Sequence, residues 1–235
     1  MIKLIKLEFK RNNIKPYFYS ILGIFCFTFV MGFLFSALPK IEANNISSHI
    51  FSDTDMLVMM ITIISMSCFA ILGSIMYINF IICEYTTKNN ILVFSYPQRR
   101  SNIFIAKFIF IFTFIFVFMI LSNIISIISI GIIGYITKII DDTFKNIDEI
   151  ILISIVFALI SNLISLIALR IGFWKKSIIL TIITTIVFIA PLGNSVLFIK
   201  DNWIYIIFPL MIVLIFINSI LFLGLLKKVD EMECI

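Results

Sequence analysis

Glu84, Lys88, Arg99, Arg100 and Lys107 all fall in one stretch, EYTTKNNILVFSYPQRRSNIFIAK, between two runs of nearly unbroken Ile, Phe, Met and Val. The chemistry this stretch offers is that of contact. Its centre, Ile91, Leu92, Val93 and Phe94 with Asn90 and Ser95 on either side, is an apolar patch outside any greasy run. Such a patch wants a partner surface or a lipid interface, and a solvated linker has no need of it. Tyr96-Pro97 breaks the segment, because Pro lacks an N–H and disfavours helix at the residue before it. Arg99 and Arg100 follow, and Ser101 is placed to cap the next helix. The pattern reads as a short docking helix and a sharp turn between two long apolar helices.

The apolar runs carry a second set of candidates, all uncharged. Ser122, Ser126 and Ser129 share one helical face with Asn123 beside it. Ser154, Ser161 and Ser165 do the same with Asn162 adjacent, and Asn79 and Asn218 add amides. Two readings stay open. Small and polar residues let helices approach and bond one another; alternatively they line a weakly polar path for an amphipathic substrate at a dimer seam. No run carries a central Asp, Glu, Lys or Arg, which argues against an ion-coupled relay. Paired intramembrane Glu or His residues, the needs of a membrane protease, are missing too. Four cysteines, none in a CxxC pair, and a lone His49 give no readable metal site and no expected disulfide. No GxxxxGK[ST] phosphate loop occurs in the chain, so ATP hydrolysis is not expected of it.

The elements that position these residues follow from composition. The 235 residues are 62% hydrophobic and 13% charged, with mean hydropathy +1.18, and too little polar surface exists to cover a water-facing globule. About 20 apolar residues cross a hydrocarbon core. Six runs qualify, near 17–38, 56–83, 108–137, 150–169, 177–198 and 203–226. The first is too long for a cleavable signal core and reads as a retained span. Phe-Ile alternation over 108–118 imitates a strand, but the run is too long and only a helix or closed barrel satisfies its backbone in lipid. The expected fold is therefore all-α and integral to the membrane, a single domain of six transmembrane helices. Pro191 and Gly193 are expected either to kink the fifth span or, the favoured reading, to end it near Ala190, leaving 191–202 as an outer loop or re-entrant turn. Pro209 falls in the first turns of the sixth, as a kink.

Basic residues set the orientation. Of the 18 Lys and Arg, all but Lys40, Lys138, Lys145 and Lys200 lie on the side of the N-terminus. That side is then cytoplasmic, as are both termini, and Arg170, Lys175 and Lys176 form a short cytoplasmic loop. In MIKLIKLEFKRNN, Ile2, Ile5 and Phe9 share a face, and Lys3, Lys6 and Lys10 a neighbouring one. Residues 1–15 thus read as an amphipathic helix on the inner lipid interface, with the lysines at the phosphates.

The ordered features of 84–107 resemble a known class. An acidic-aromatic pair (Glu84-Tyr85) closes span two. A short apolar helix and the turn SYPQRR follow, and Ala106-Lys107 opens span three. The chain resembles the permease subunits of ABC-2 type transporters, most of all the small bacterial branch of bacitracin- and lantibiotic-type peptide efflux and immunity. The resemblance implies that 84–107 is a cytoplasmic coupling helix. Asn90, Ile91, Leu92, Val93, Phe94 and Ser95 would dock on an ATPase subunit, Tyr96 and Pro97 would set the turn, and Arg99 and Arg100 would face the ATPase or lipid phosphates. Glu84 would close the span near the interface. It also implies a permease dimer, of copies or paralogues, with two ATPase subunits that hold ATP and Mg, and a bacterial cytoplasmic membrane as the location. The chain itself would bind no cofactor or nucleic acid and would act in exporting an antimicrobial peptide or similar molecule. The rivals are a substrate-capturing membrane module without a motor and a passive immunity protein.

Overall fold

The computed structural model describes residues 14–41, 54–86, 100–136, 147–197 and 203–230. Every regular element among them is helical: α1 (Lys15–Ile41), α2 (Thr54–Tyr77), α3 (Arg100–Ile136), α4 (Ile147–Lys175), α5 (Ile178–Leu197) and α6 (Trp203–Asp230). Helix α2 runs on into a π turn, Ile78–Ile82, and one further α turn, Cys83–Thr86. The six helices stand where the six apolar runs predict them, and 108–118 is helical. Five are long and apolar enough to cross a membrane; the described apolar part of α5, Ile178–Gly193, is shorter. Residues 1–13 and 87–99 lie outside the described residues, and with them most of the expected interfacial helix and the docking part of 84–107.

Ile- and Phe-rich runs become helices because lipid offers the backbone no partner, so every N–H must find a carbonyl in its own segment. Local chemistry sets the ends. Helix α1 starts at the Ile14 carbonyl, which accepts from the N–H groups of Tyr17 and Phe18, and Pro16 in its first turn loses no bond that a helix would make. Asp148 and Glu149 in the first turn of α4 and Lys175 in its last suit the helix dipole.

Helices α2 and α4 pack along each other at the centre, and both also meet α3 and α5. Helix α1 lies on α2 and α3, and α6 on α4 and α3. Glycines set the closest approaches. A Cβ at Gly73 would stand 3.2 Å from the Ser165 hydroxyl of α4, and one at Gly172 would run into Thr181 of α5.

Three expectations are corrected. Arg170 and Lys175 do not lie in a loop: α4 continues to Lys175, because Gly172 serves packing and does not stop the helix. The connection shrinks to Lys176, with φ of 51°, and Ser177. The Ser177 N–H bonds the Gly172 carbonyl at 3.2 Å, a Schellman closure, and the Ser177 hydroxyl accepts from the Leu180 N–H to cap α5. Pro191 does not end the fifth span; α5 runs through it to Leu197. Near a helix end Pro deprives only the Val187 carbonyl of its partner, a loss that membrane helices tolerate. Ser101 lies inside α3, after Arg100, and is not its boundary residue.

Candidate functional site

The end of the bundle from which residues 87–99 leave and to which they return is built around a buried cation. Lys107 sits about two turns into α3 and is 1% exposed. Its Nζ donates to the Phe80 carbonyl at 3.1 Å and pairs with the Glu84 carboxylate, whose side chain is 18% exposed. Taking an ammonium out of water costs several kcal/mol, roughly, unless a counter-charge and hydrogen bonds replace the solvent. Glu84 and Phe80 supply both. The pair ties the last turn of span two to the second turn of span three, across the segment that connects them.

Phe80 belongs to the π turn. The Cys83 N–H closes it on the Ile78 carbonyl, an i→i+5 bond, and the flanking residues Tyr77 and Cys83 keep ordinary αR geometry. Ile78, Phe80, Ile81 and Ile82 are buried. Asn79 faces outward and donates from Nδ2 to the Tyr17 hydroxyl of α1 at 2.8 Å. The Tyr17 ring stands edge-on to Phe80, with centroids 5.3 Å apart. Phe104, fully buried, meets Phe173 of α4 and Phe222 of α6 at 6.5 and 6.2 Å, and Tyr77 stacks on Phe108 at 6.1 Å. Rings from five helices thus floor the place where 87–99 emerges. Interlocked aromatics transmit displacement better than a loose aliphatic surface, since a close-packed interior has little room to yield.

Of the coupling residues expected from sequence, the structure brings Glu84 into this site. Asn90, Ile91, Leu92, Val93, Phe94, Tyr96, Pro97 and Arg99 lie outside the described residues. So do the membrane-interface lysines, Lys3, Lys6 and Lys10. Arg100 opens α3.

The uncharged candidates are mostly inside the subunit. Ser122, Ser126, Ser161, Asn162, Ser165 and Asn218 are buried; Ser129 is half-buried and donates to its own helix at Ile125. Asn162, Ser165 and Asn218 also bond carbonyls of their own helices, at Ala158, Asn162 and Leu214. Ser126, like Asn79, reaches another helix, meeting Thr28 of α1 at 3.2 Å. Several buried polar atoms have no protein partner among the described residues: the hydroxyls of Ser65, Ser122, Ser154 and Ser161, the Asn123 amide and Asn162 Oδ1. The position of Gly73 lies within contact distance of Ile115 as well as Ser165, which fixes the registers of α2, α3 and α4. Ser65 and Asn123 are each eight residues from that level in the same direction, about 12 Å. Ser161 and Ser154 lie about 6 and 16 Å along. These unpartnered atoms are thus spread over roughly 12 Å of the length of three packed helices.

Sequence reasoning missed Lys107 as a site residue, along with Tyr17 and Thr28. A carboxylate at the end of one span and a lysine at the start of the next were a usable signal for the first. Arg170 was missed as well: its Nη2 stands 3.2 Å from where a Cβ on Gly224 of α6 would be, and Nη1 is buried without a partner among the described residues.

Six apolar helices around one core, with an ion pair joining the second and third beneath a polar connection, define a multi-pass helical membrane protein. The family model described as ABC-2 family transporter protein matches residues 4–192. The match takes in most of the chain and the whole of the charged site, and the chain belongs to that family. It is accordingly a transmembrane permease subunit of an ABC transporter, with ATP hydrolysis the task of a partner subunit. No curated protein and no solved structure gives a significant match.

Proposed function

We propose that the chain, one transmembrane permease domain over residues 1–235, belongs to an ATP-driven exporter of a bacterial cytoplasmic membrane. Both termini face the cytoplasm. Two permeases, copies or paralogues, work with two ATPase subunits that bind ATP and Mg, and the cargo is amphipathic: a peptide antibiotic, a toxin or a similar molecule of the bacitracin and lantibiotic kind. Residues 84–107 dock on the ATPase. The observation that carries this reading is the buried Lys107 that joins Glu84 to Phe80 at the foot of that segment. A solvated linker needs no buried ion pair at its root, whereas a lever does.

Leu92 and Phe94 are the anchors, each worth about 1.5–3 kcal/mol when buried. Replacing both with Asp is expected to release the ATPase encoded beside the permease in co-purification, with membrane insertion intact. Pro97→Ala is expected to keep the ATPase bound while hydrolysis no longer drives efflux. Full resistance and stoichiometric ATPase in the double Asp variant would reduce the segment to a linker. Resistance without any bound ATPase would favour a passive immunity protein or a capture module.

The unpartnered polar atoms inside the bundle support a second element of the proposal. Ser122, Ser161 and Asn162 have hydrogen-bonding capacity left unused among the described residues. With Ser126, Ser129, Ser165, Asn218 and, near the charged end, Asn79, they mark the substrate pathway.

A further inference from the structure

We propose that Lys107 is a positioning residue that holds the Ile78–Ile82 turn in its widened π form, and that this turn fixes the rotational register at which span two hands over to 84–107. The inference rests on the coupling role proposed above and names the residue that sets its geometry.

A π turn is one extra residue in an α-helix, and it turns everything beyond it by about 100° relative to an uninterrupted helix. Such turns make up well under about 1% of residues and cluster at functional sites. This one is flanked by ordinary helix on both sides and closed by the Cys83 N–H on Ile78. The Phe80 carbonyl lies within the turn. Here the Lys107 ammonium donates to it, and the same ammonium pairs with the Glu84 side chain. Its two partners straddle the point where the π turn reverts to α. One cation from span three thereby pins both a carbonyl of the wide turn and a side chain just beyond it. From the other side, Asn79 in the same turn is held by Tyr17 of α1. Span two thus reaches the coupling segment with its angle set by its neighbours, and a push on that segment works against this latch first.

Two native cysteines form the ruler. Cys68 precedes the turn and Cys83 directly follows it, both half-buried. Full-length chains keeping only Cys68 or only Cys83 are spin-labelled and reconstituted in lipid nanodiscs, and the oxygen accessibility of each nitroxide is measured. Deleting Asn79 removes the extra residue and gives the reference for the uninterrupted register. Lys107→Met is expected to change the accessibility at Cys83 several-fold, in the same sense as the deletion, with Cys68 unchanged. The exchanged pair, Glu84→Lys with Lys107→Glu, restores opposite charges, but a carboxylate at position 107 only accepts hydrogen bonds and cannot hold the Phe80 carbonyl. It is expected to leave Cys83 as altered as Lys107→Met does.

Three results would each overturn the proposal: no change at Cys83 in Lys107→Met or in the deletion, recovery in the exchanged pair, or an equal change at Cys68, which would mean general loosening. The permease alone suffices for the measurement. A latch that behaves as stated, together with an ATPase still bound to the Leu92 and Phe94 variants, would therefore sink only the docking reading.

Discussion

The second and sixth spans are almost equally apolar, yet 67% of the apolar stretch of one is buried against its neighbours and 11% of that of the other. The fourth matches the second at 67%, and the first resembles the sixth at 17%. Hydropathy measures transfer into lipid and so cannot tell a lipid neighbour from a helix neighbour. Small and polar residues can. Thr62, Ser65, Gly73 and Ser74 of α2 and Ser154, Ser161, Asn162 and Ser165 of α4 are all buried, with Gly73 close against Ser165. Helix α6 buries a lone polar side chain among its described residues, Asn218, and that residue bonds its own helix. The inner pair is thus marked by what interrupts the Ile and Phe, and α6 by how little does.

The largest expected effect is a direct test of that contrast. Phe104 is fully buried where α3 meets α4 and α6, and Phe104→Ala is expected to cost about 3–5 kcal/mol. Phe216 on α6 is 68% exposed, and Phe216→Ala is expected to stay within about 0.5 kcal/mol. Denaturant unfolding in micelles measures both. Equal losses would mean that α6 is covered by protein in the isolated chain and would break the comparison.

Two glycines sharpen it, with opposite signs. Gly172 has the Thr181 hydroxyl and Ile82 in the way of a Cβ, and Thr181 is itself held by the Ser177 carbonyl at 3.0 Å. Gly172→Ala is expected to destabilise by about 1–3 kcal/mol, the usual cost of overpacking. Nothing lies within 4 Å of a Cβ at Gly23 in α1. There Gly23→Ala is expected to stabilise by about 0.5–1 kcal/mol, because glycine in a helix interior carries an entropic penalty. Melting temperatures in one detergent, read side by side, decide the signs.

The same contrast shows how much was legible beforehand. The six helices could be read, because lipid leaves an apolar run of that length a single structural solution. Glu84 could be placed at a span end, since charge near an apolar boundary is conspicuous. The burial of Lys107 could not, because counting charges assigns any terminal lysine to water, and only the partner helix reveals the carbonyl and carboxylate waiting for it. Arg170 and Pro191 were misplaced for related reasons: a charged residue and a helix breaker were taken as local punctuation, while tertiary packing kept both inside helices. The π turn has no residue type to announce it. Ile78-Asn-Phe-Ile-Ile82 reads as plain helix, and its width becomes visible through the bonds it makes with α1 and α3.

The smallest expected effect concerns how the peripheral α1 is held. Thr28 and Ser126 are both buried, and their hydroxyls are 3.2 Å apart. Thr28 also donates to the Phe25 carbonyl at 3.0 Å, so its proton is committed and Ser126 must be the donor between the helices. Thr28→Val then leaves the Ser126 hydroxyl free to turn back to the carbonyl one helical turn earlier, at residue 122, as Ser and Thr in membrane helices readily do. That fallback keeps the interhelical bond cheap to lose. A double-mutant cycle of Thr28→Val and Ser126→Ala is expected to give a coupling of about 0.6 kcal/mol, the average for such bonds in membrane proteins. A coupling near zero would leave α1 held by packing, through Gly32 against Ile61 and Ile130, and by the bond from Asn79 to Tyr17. A value well above about 1.7 kcal/mol, the top of the observed range, would mean that α1 is anchored as firmly as the inner pair. The ordering of inner and outer helices would then rest on burial without a matching difference in strength.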